Sequence, residues 1–286
     1  MSSPDISSLV AAKMQTGENF PVGSIFIPKA LRADIHDYYR YARIADDVAD
    51  HPSLSATHKL DILTALEMAV LGEKTCDSPL DIDSFKAATR IGDRLRDREI
   101  DLSVATDLLV AFRMDAENLT CNTWADLIDY CRFSACPVGR FLLALHDETH
   151  ALAESDSLCC ALQILNHIQH ARDDYTSLQR IYIPLDWLAQ DGAHTDDLSQ
   201  DTSSQELKSS IARMLEHTDQ LILRARNLPN LLTHRGLSAE SDLCVGLAQK
   251  LSSRLKRADP LQSKIKLTKF NWLASGLHSL LHLVRP

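Results

Sequence analysis

Apolar side chains recur every three to four positions through most of the 286-residue chain, which is the spacing of one helix face. Only 9 glycines and 10 prolines interrupt this pattern, so we expect long helices rather than turn-rich β-structure. The predicted helices cover about 28–50, 55–71, 84–98, 102–118, 123–135, 156–175, 205–226, 238–257 and 267–283. The pattern therefore predicts an all-α fold.

Prolines and polar segments separate the predicted helices. Pro137 is expected to interrupt one helix, and Pro184 to leave the residues around it extended or irregular. Residues 190–204 are polar and lack periodicity, which is typical of a mobile surface loop. No shift of composition marks a boundary, so we predict a single domain over 1–286, of which 1–16 are a loose lead-in.

Composition narrows the partners and the compartment. The net charge of -9 argues against nucleic acid as a partner. The seven cysteines form no CxxC pair and are odd in number, which indicates reduced thiols in the cytoplasm. The first twenty residues lack the basic region and apolar run that are typical of a signal peptide, so none is expected. No stretch of about 18 apolar residues occurs, so no transmembrane helix is expected. The amphipathic C-terminal stretch 271–286 is either a core helix or a peripheral contact with the inner face of the membrane.

The densest cluster of charge lies in the predicted helix Tyr38–Asp50. Asp50 is four positions from Asp46 and three from Asp47, so the three carboxylates share one helix face and repel one another. A divalent cation would compensate them, and Mg²⁺ typically takes one or two carboxylates together with substrate phosphates. Arg43, one turn earlier, is either their salt-bridge partner or a contact for phosphate.

A second polar stretch occurs more than a hundred positions later, in 166–174. Asn166, His170 and Asp174 follow one another at four-residue steps and form one stripe, with Asp173 beside it. Alone, this is compatible with an ordinary polar helix face. If it faces the first stretch across a helical bundle, Mg²⁺ between the two would hold a diphosphate. Such a site ionises an allylic or cyclopropylcarbinyl diphosphate and shelters the carbocation among apolar helices.

These motifs resemble the squalene/phytoene synthase family in residue type, order and spacing. The matching residues are Tyr39, Arg43, Asp46, Asp47, Asp50, Tyr130, Pro137–Arg140, Asn166, Gln169, Asp174, Arg180–Pro184, Asp259–Leu261 and Asn271–Trp272. The resemblance implies a helical bundle of isoprenoid synthase type around a central apolar cavity. Within the family, Glu18–Val22 and Tyr130–Arg132 are most similar to the bacterial hydroxysqualene synthase branch of hopanoid biosynthesis.

That branch implies a specific reaction, conversion of presqualene diphosphate and water to hydroxysqualene and diphosphate. It implies Mg²⁺ without a nicotinamide cofactor, a prenyl diphosphate substrate and partner enzymes of the squalene pathway. The alternative within the family is head-to-head condensation of two farnesyl or geranylgeranyl diphosphates to presqualene diphosphate, squalene or phytoene. A further alternative is a non-catalytic paralogue that binds prenyl diphosphates.

The residue pattern and the resemblance together predict three sets of side chains. The catalytic set is Asp46, Asp50, Tyr130, His170 and Asp174. The substrate-binding set is Phe20, Tyr39, Arg43, Gln169, Arg180 and Tyr182. The Mg²⁺ ligands are Asp46, Asp47, Asp50, Asn166, Asp173 and Asp174.

Two positions depart from the family pattern. His170 stands where the family has Asp, and imidazole is a poorer Mg²⁺ ligand than a carboxylate. Three outcomes are open: neighbouring residues carry the metal alone, His170 contacts diphosphate or acts as a base toward water, or the site is inactive. Gln179 stands where the family usually has Gly, which bears on the loop over the diphosphate.

Overall fold

The structure, a computed structural model, describes residues 26–73 and 80–283. Its regular secondary structure is helical, with no strand in these two segments. The α-helices are α1 Arg32–Ala49, α2 Ala56–Leu71, α3 Ile82–Asp97, α4 Ser103–Ala116, α5 Trp124–Ser134, α6 Cys136–Leu145, α7 Leu152–Leu178, α8 Leu185–Asp191, α9 Gln205–Ala225, α10 Leu228–Leu231, α11 Arg235–Leu255 and α12 Lys269–Leu283. Short 3-10 helices lie at Lys29–Leu31 and Thr195–Ser199. The all-α prediction is confirmed.

Local sequence explains where several helices begin and end. The Ser55 hydroxyl accepts a hydrogen bond from the first turn of α2, and Asp81 does the same for α3. Thr123 and Asp126 form a reciprocal capping box at the start of α5. Gly72 follows α2 in the left-handed conformation, with φ of 79°, which glycine adopts without steric cost.

Two prolines begin helices where the sequence predicted interruption or irregular chain. Pro137 lies in the first turn of α6, which starts at Cys136 almost directly after α5. Pro184 immediately precedes α8, so the irregular chain predicted around it is helical from Leu185 onward. Both positions suit proline because the first N–H groups of a helix have no partner within the helix. The predicted irregular segment is therefore restricted to the residues just before Pro184.

The polar segment 190–204 makes specific contacts with α7, whereas its composition predicted a mobile surface loop. Leu198 is buried within it. The Tyr175 hydroxyl donates to Asp196 across 2.6 Å. Arg172 pairs with Asp201 at 2.7 Å. These contacts, which composition alone does not reveal, hold the segment against the C-terminal half of α7.

Buried apolar side chains form two large clusters. One contains side chains of α1, α2, α3, α4 and α6, with Tyr41, Leu66, Ile91, Leu108 and Phe141 among its members. The other joins α5, α7, α9 and α11, with Leu127, Ile164, Met214 and Leu251 among its members. The C-terminal end of α1, the C-terminal end of α7 and the middle of α5 approach one another between these clusters.

The C-terminal helix α12 packs along α11. Asp242 of α11 accepts hydrogen bonds from His278, at 2.7 Å, and from Ser279, at 2.9 Å. Lys250 donates to the Asn271 carbonyl across 3.3 Å. These contacts favour the core-helix alternative for this stretch. In the described part of the chain, no helix is long and apolar enough to cross a bilayer.

Candidate active site

The first acidic stretch occupies the C-terminal half of α1. Arg43 pairs with Asp46 at 3.0 Å and with Asp47 at 2.7 Å. Of the two roles predicted for Arg43, these contacts are those of a salt-bridge partner. Burial and then the charge of Asp50 raise the pKa of the Asp46 carboxyl to about 6, although Arg43 acts in the opposite direction. This face of α1 therefore carries more negative charge than its own arginine compensates.

Arg180 connects the end of α1 with the chain that follows α7. Its guanidinium donates to the Asp50 carboxylate at 2.6 Å and to the carbonyl oxygens of Ala49, at 3.1 Å, and Asp115, at 3.3 Å. Lys59 of α2 also donates to the Ala49 carbonyl, at 2.7 Å. Two cations thus meet the C-terminal end of α1, where unpaired carbonyls and the helix dipole favour positive charge.

A left-handed turn aims Arg180 at this position. Gln179 ends α7 with φ of 60°, and the Arg180 N–H then donates to the Asp174 carbonyl across 3.1 Å. Glycine adopts this conformation more easily than glutamine, because a Cβ atom crowds the adjacent carbonyl. The departure from the family pattern at Gln179 therefore retains the turn but strains the backbone.

Replacing Gln179 with glycine is expected to raise the free energy of unfolding by about 0.5–1 kcal/mol, because it relieves this strain. Urea denaturation measures the change. Gln220→Gly, inside the exposed face of α9, is the matched control and should lower stability by about 1 kcal/mol. Equal destabilisation by both changes would contradict the left-handed turn.

Asp115 of α4 lies at the centre of the site, and no sequence motif marked it. It accepts hydrogen bonds from the hydroxyls of Tyr130, at 2.9 Å, and Tyr182, at 2.8 Å. Burial raises the pKa of its carboxyl, while the adjacent Arg180, whose Nε lies 3.8 Å away, acts in the opposite direction. Burial also raises the pKa of both tyrosines, so their hydroxyls stay protonated and donate to Asp115.

The second acidic stretch joins this network through His167, which the sequence analysis also missed. Its imidazole stacks on the Tyr182 ring with centroids 3.6 Å apart, and its Nδ1 lies 3.5 Å from the Asp174 carboxylate. His167 and Asp174 line a small pocket together with Ala171, Arg180, Ile181, Tyr182, Ile183, Leu198 and Met214. Contacts therefore lead from Asp50 through Arg180, Asp115 and the tyrosines to Asp174.

Other predicted site residues lie outside this chain of contacts. Asn166 and Asp173 are exposed on a neighbouring face of α7, and half-buried His170 lies 3.8 Å from Asp173. Gln169 is buried and donates instead to the Ile265 carbonyl. Tyr39 of α1 is half-buried. Phe20 lies outside the described residues, as does the rest of the segment Glu18–Val22.

The oxygen ligands fit Mg²⁺ held jointly with phosphate. No three His, Cys, Asp or Glu side chains converge into a closed ion site within 26–73 and 80–283. Mg²⁺ bound to a phosphorylated substrate nevertheless needs only one or two carboxylates, with phosphate oxygens and water in its other positions. The half-buried Asp46 suits this arrangement, because a cation would stabilise the ionised form that burial and Asp50 disfavour.

The Asp46→Asn substitution is expected to stabilise the Mg²⁺-free protein above pH 6. The folded-state pKa of about 6 exceeds the usual 3.8, so the Asp46 contribution is favourable at low pH and is lost as pH rises through about 6. Thermal unfolding of both proteins from pH 4 to pH 7.5 measures this. The melting-temperature advantage of the variant should grow with pH, whereas an advantage independent of pH would contradict the shift.

Comparison with known proteins places these motifs in context. The chain matches the squalene/phytoene synthase family over residues 14–271. It is 35% identical over 268 residues to hydroxysqualene synthase of Sinorhizobium fredii, covering 93% of this chain and 89% of the relative. It is 34% identical over 275 residues to hydroxysqualene synthase of Rhodopseudomonas palustris, covering 96% and 91%.

Solved structures share the fold. The squalene synthase HpnC from Alicyclobacillus acidocaldarius superposes with a TM-score of 0.69 at 29% identity, covering 82% of this chain and 86% of that one. A dehydrosqualene synthase in complex with ligand gives a TM-score of 0.74 at 18% identity, covering 97% and 95%. The second likeness concerns the fold alone.

Proposed function

Because the chain belongs to the squalene/phytoene synthase family, we propose that it converts presqualene diphosphate and water to hydroxysqualene and diphosphate. The C–O bond to the diphosphate breaks, and its electron pair leaves with the diphosphate. Water then forms a new C–O bond with the carbocation and releases a proton. The step involves no reduction, so it requires no nicotinamide.

One observation supports the proposal most strongly. The ends of two acidic stretches that are more than a hundred positions apart meet through Arg180, which follows the second stretch and pairs with Asp50 of the first at 2.6 Å. Asp115 and its two tyrosines extend these contacts to His167 and Asp174. Ionisation of a diphosphate requires groups that stabilise the negative charge of the leaving group from several sides. Residues from two distant stretches come together here and can surround a diphosphate in this way.

Carboxylate and amide oxygens of two helices are proposed to bind Mg²⁺. The ligands from α1 are Asp46, Asp47 and Asp50, and those from α7 are Asn166, Asp173 and Asp174. When bound, Mg²⁺ neutralises charge that develops on the departing diphosphate. Arg43, with its guanidinium exposed beside Asp46 and Asp47, contacts a diphosphate oxygen in the same place.

The remaining side chains position charge and shelter the cation. Arg180 keeps a positive charge at the end of α1, because Asp115 and Asp50 raise its already high pKa against the opposing effect of burial. The rings of Tyr130 and Tyr182 offer aromatic faces to a carbocation, while their hydroxyls remain bound to Asp115. Lys59, beside Asp50 and Arg180, adds positive charge that the sequence analysis did not identify.

Product analysis tests this function. Purified protein with presqualene diphosphate and Mg²⁺, and without a nicotinamide, is expected to release hydroxysqualene and diphosphate. A parallel incubation with farnesyl diphosphate alone tests the condensation alternative, which predicts presqualene diphosphate or squalene. Formation of those products from farnesyl diphosphate, with presqualene diphosphate left unchanged, would overturn the assignment.

The position of His170 supports a second candidate, a paralogue that binds prenyl diphosphates without turnover. Its imidazole is half-buried and lies 3.8 Å from Asp173, whereas the ring that stacks on Tyr182 is that of His167. If the parent chain is inert and His170→Asp gains large activity, the non-catalytic function is correct. If the parent is active and His170→Asp changes turnover little, neighbouring ligands suffice.

We further propose a cytoplasmic enzyme whose product passes to a separate reductase. The described cysteines are free, and burial raises the pKa of several of them, as expected of packed thiols in a reducing compartment. Hydroxysqualene still carries a hydroxyl that squalene lacks, so a reductive step must follow if squalene is the end product.

A further inference from the structure

A charged cleft lies between α1 and α3, on residues that the proposed reaction does not use. Its walls are Asp37, Arg40, Asp83, Lys86, Ala87 and Arg90. Three cations face two carboxylates there, and the buried Asp37 pairs with Arg94 at 2.5 Å and with Arg90 at 3.6 Å. Within 26–73 and 80–283, neither Arg40 nor Lys86 takes part in an ion pair, and both side chains are exposed. Arg40 and Lys86 therefore offer positive charge to an external anion, whereas Arg90 shares its charge with Asp37.

Two large apolar side chains stand in solvent beside this cleft. Ile82 is 72% exposed and Phe85 is 40% exposed, and both belong to the first turn of α3. They are three positions apart and thus share a helix face, with Lys86 next to Phe85 and four positions from Ile82. Exposed apolar groups with cations beside them are typical of surfaces that enter the headgroup region of a bilayer.

We propose that Arg40, Ile82, Phe85, Lys86 and Arg90, called here the α3 surface, dock the enzyme on a bilayer that contains anionic phospholipid. Ile82 and Phe85 enter the interface, and a headgroup phosphate occupies the cleft between the three cations. The cations would attract either an anionic lipid or an acidic protein. The small apolar pair at their edge favours the lipid, because it can enter the bilayer interface while the cations meet headgroup phosphates. Since the whole chain carries a net charge of -9, attraction to an anionic bilayer must come from a local patch.

The α3 surface lies close to the proposed active site, so docking would bring that site near the bilayer. This part of the inference rests on the proposed function. Arg40 lies one helical turn before Arg43, the residue that pairs with Asp46 and Asp47. A prenyl diphosphate dissolved in the bilayer carries its diphosphate at the headgroup level. Docking through the α3 surface brings the acidic stretch of α1 close to that level, so the substrate need not cross bulk water.

Vesicle flotation tests the docking surface without any turnover. The full chain is mixed with phosphatidylcholine vesicles, with or without phosphatidylglycerol, in the absence of substrate. We expect binding only with phosphatidylglycerol and its reversal at high salt. Phe85→Ser/Lys86→Glu is expected to weaken partitioning at least about tenfold, since it removes an apolar anchor and reverses a charge. The matched control is Leu223→Ser/Arg224→Glu on α9, an adjacent exposed apolar and cationic pair that should bind as the parent does.

Three results would overturn the inference: no binding to either vesicle, equal binding to both, or equal loss in the test and control variants. Turnover of presqualene diphosphate in detergent micelles separates this inference from the proposed function. All three proteins should be equally active there, because Phe85 and Lys86 lie outside the active site. Anionic vesicle binding that depends on the α3 surface, without turnover by any protein, would refute the function and leave the docking surface standing.

Discussion

Alanine at Asp46 or at Asp174 is expected to lower kcat/KM for presqualene diphosphate by about 10²- to 10³-fold. Each change removes a carboxylate from one side of the proposed diphosphate site, and a preorganised electrostatic contact in such a site is worth about this factor. Diphosphate release at saturating Mg²⁺ measures the loss. Because the two residues lie on different helices, α1 and α7, equal losses would support a site shared between them.

The matched control for these substitutions is Asp93→Ala. Asp93 is an exposed carboxylate of α3 that pairs with Arg96 of its own helix, at 3.0 Å. Its removal should leave kcat/KM unchanged and alter stability by less than about 1 kcal/mol. Full activity of either Asp46→Ala or Asp174→Ala would exclude that residue from metal and diphosphate binding.

Replacement of Arg180 by methionine is expected to lower the free energy of unfolding by about 3–5 kcal/mol and to abolish turnover. Without the guanidinium, the buried Asp115 loses the positive charge that opposes the effect of burial on its pKa, and the hydroxyls of Tyr130 and Tyr182 must solvate its ionised form. The carbonyls of Ala49 and Asp115 also lose a donor. Urea denaturation and diphosphate release, measured on the same preparation, give the two effects separately.

A second substitution separates the stability effect from the catalytic one. Arg180→Met/Asp115→Asn removes both members of the buried pair, so it should regain much of the lost stability while remaining inactive. Arg140→Met is the control, because Arg140 forms two hydrogen bonds with Asp156 in a partly exposed site, and its loss should cost less stability than that of Arg180. Recovery of turnover in the double variant would show that Arg180 serves only the fold.

The sequence was informative wherever the pattern is local. Helical periodicity predicted nearly all of the long helices, and the spacing of Asp46, Asp47 and Asp50 placed them on one face of α1. Pro184 misled the prediction because its ring both prevents a helix from continuing and favours the first turn of the next one. Only packing decides between these two outcomes, and Trp187 and Leu188 of α8 are buried.

The centre of the site was beyond sequence reasoning for two physical reasons. Asp115 is a single carboxylate in an amphipathic helix, and its role depends on Arg180, which is distant in the chain. His167 was missed because eight residues advance a helix by about 80° beyond whole turns, whereas seven fall about 20° short. Asp174 therefore lies above His167 rather than above Asn166.

In the proposed mechanism, the carboxylates of α1 and α7 bind one Mg²⁺–diphosphate assembly. Crystals soaked with diphosphate and Mn²⁺, which replaces Mg²⁺ and has an anomalous signal, test it most directly. We predict metal peaks in contact with Asp46 or Asp50 on one side and Asp174 on the other, bridged by diphosphate oxygens. Metal at only one helix, or diphosphate bound elsewhere on the molecule, would contradict the account.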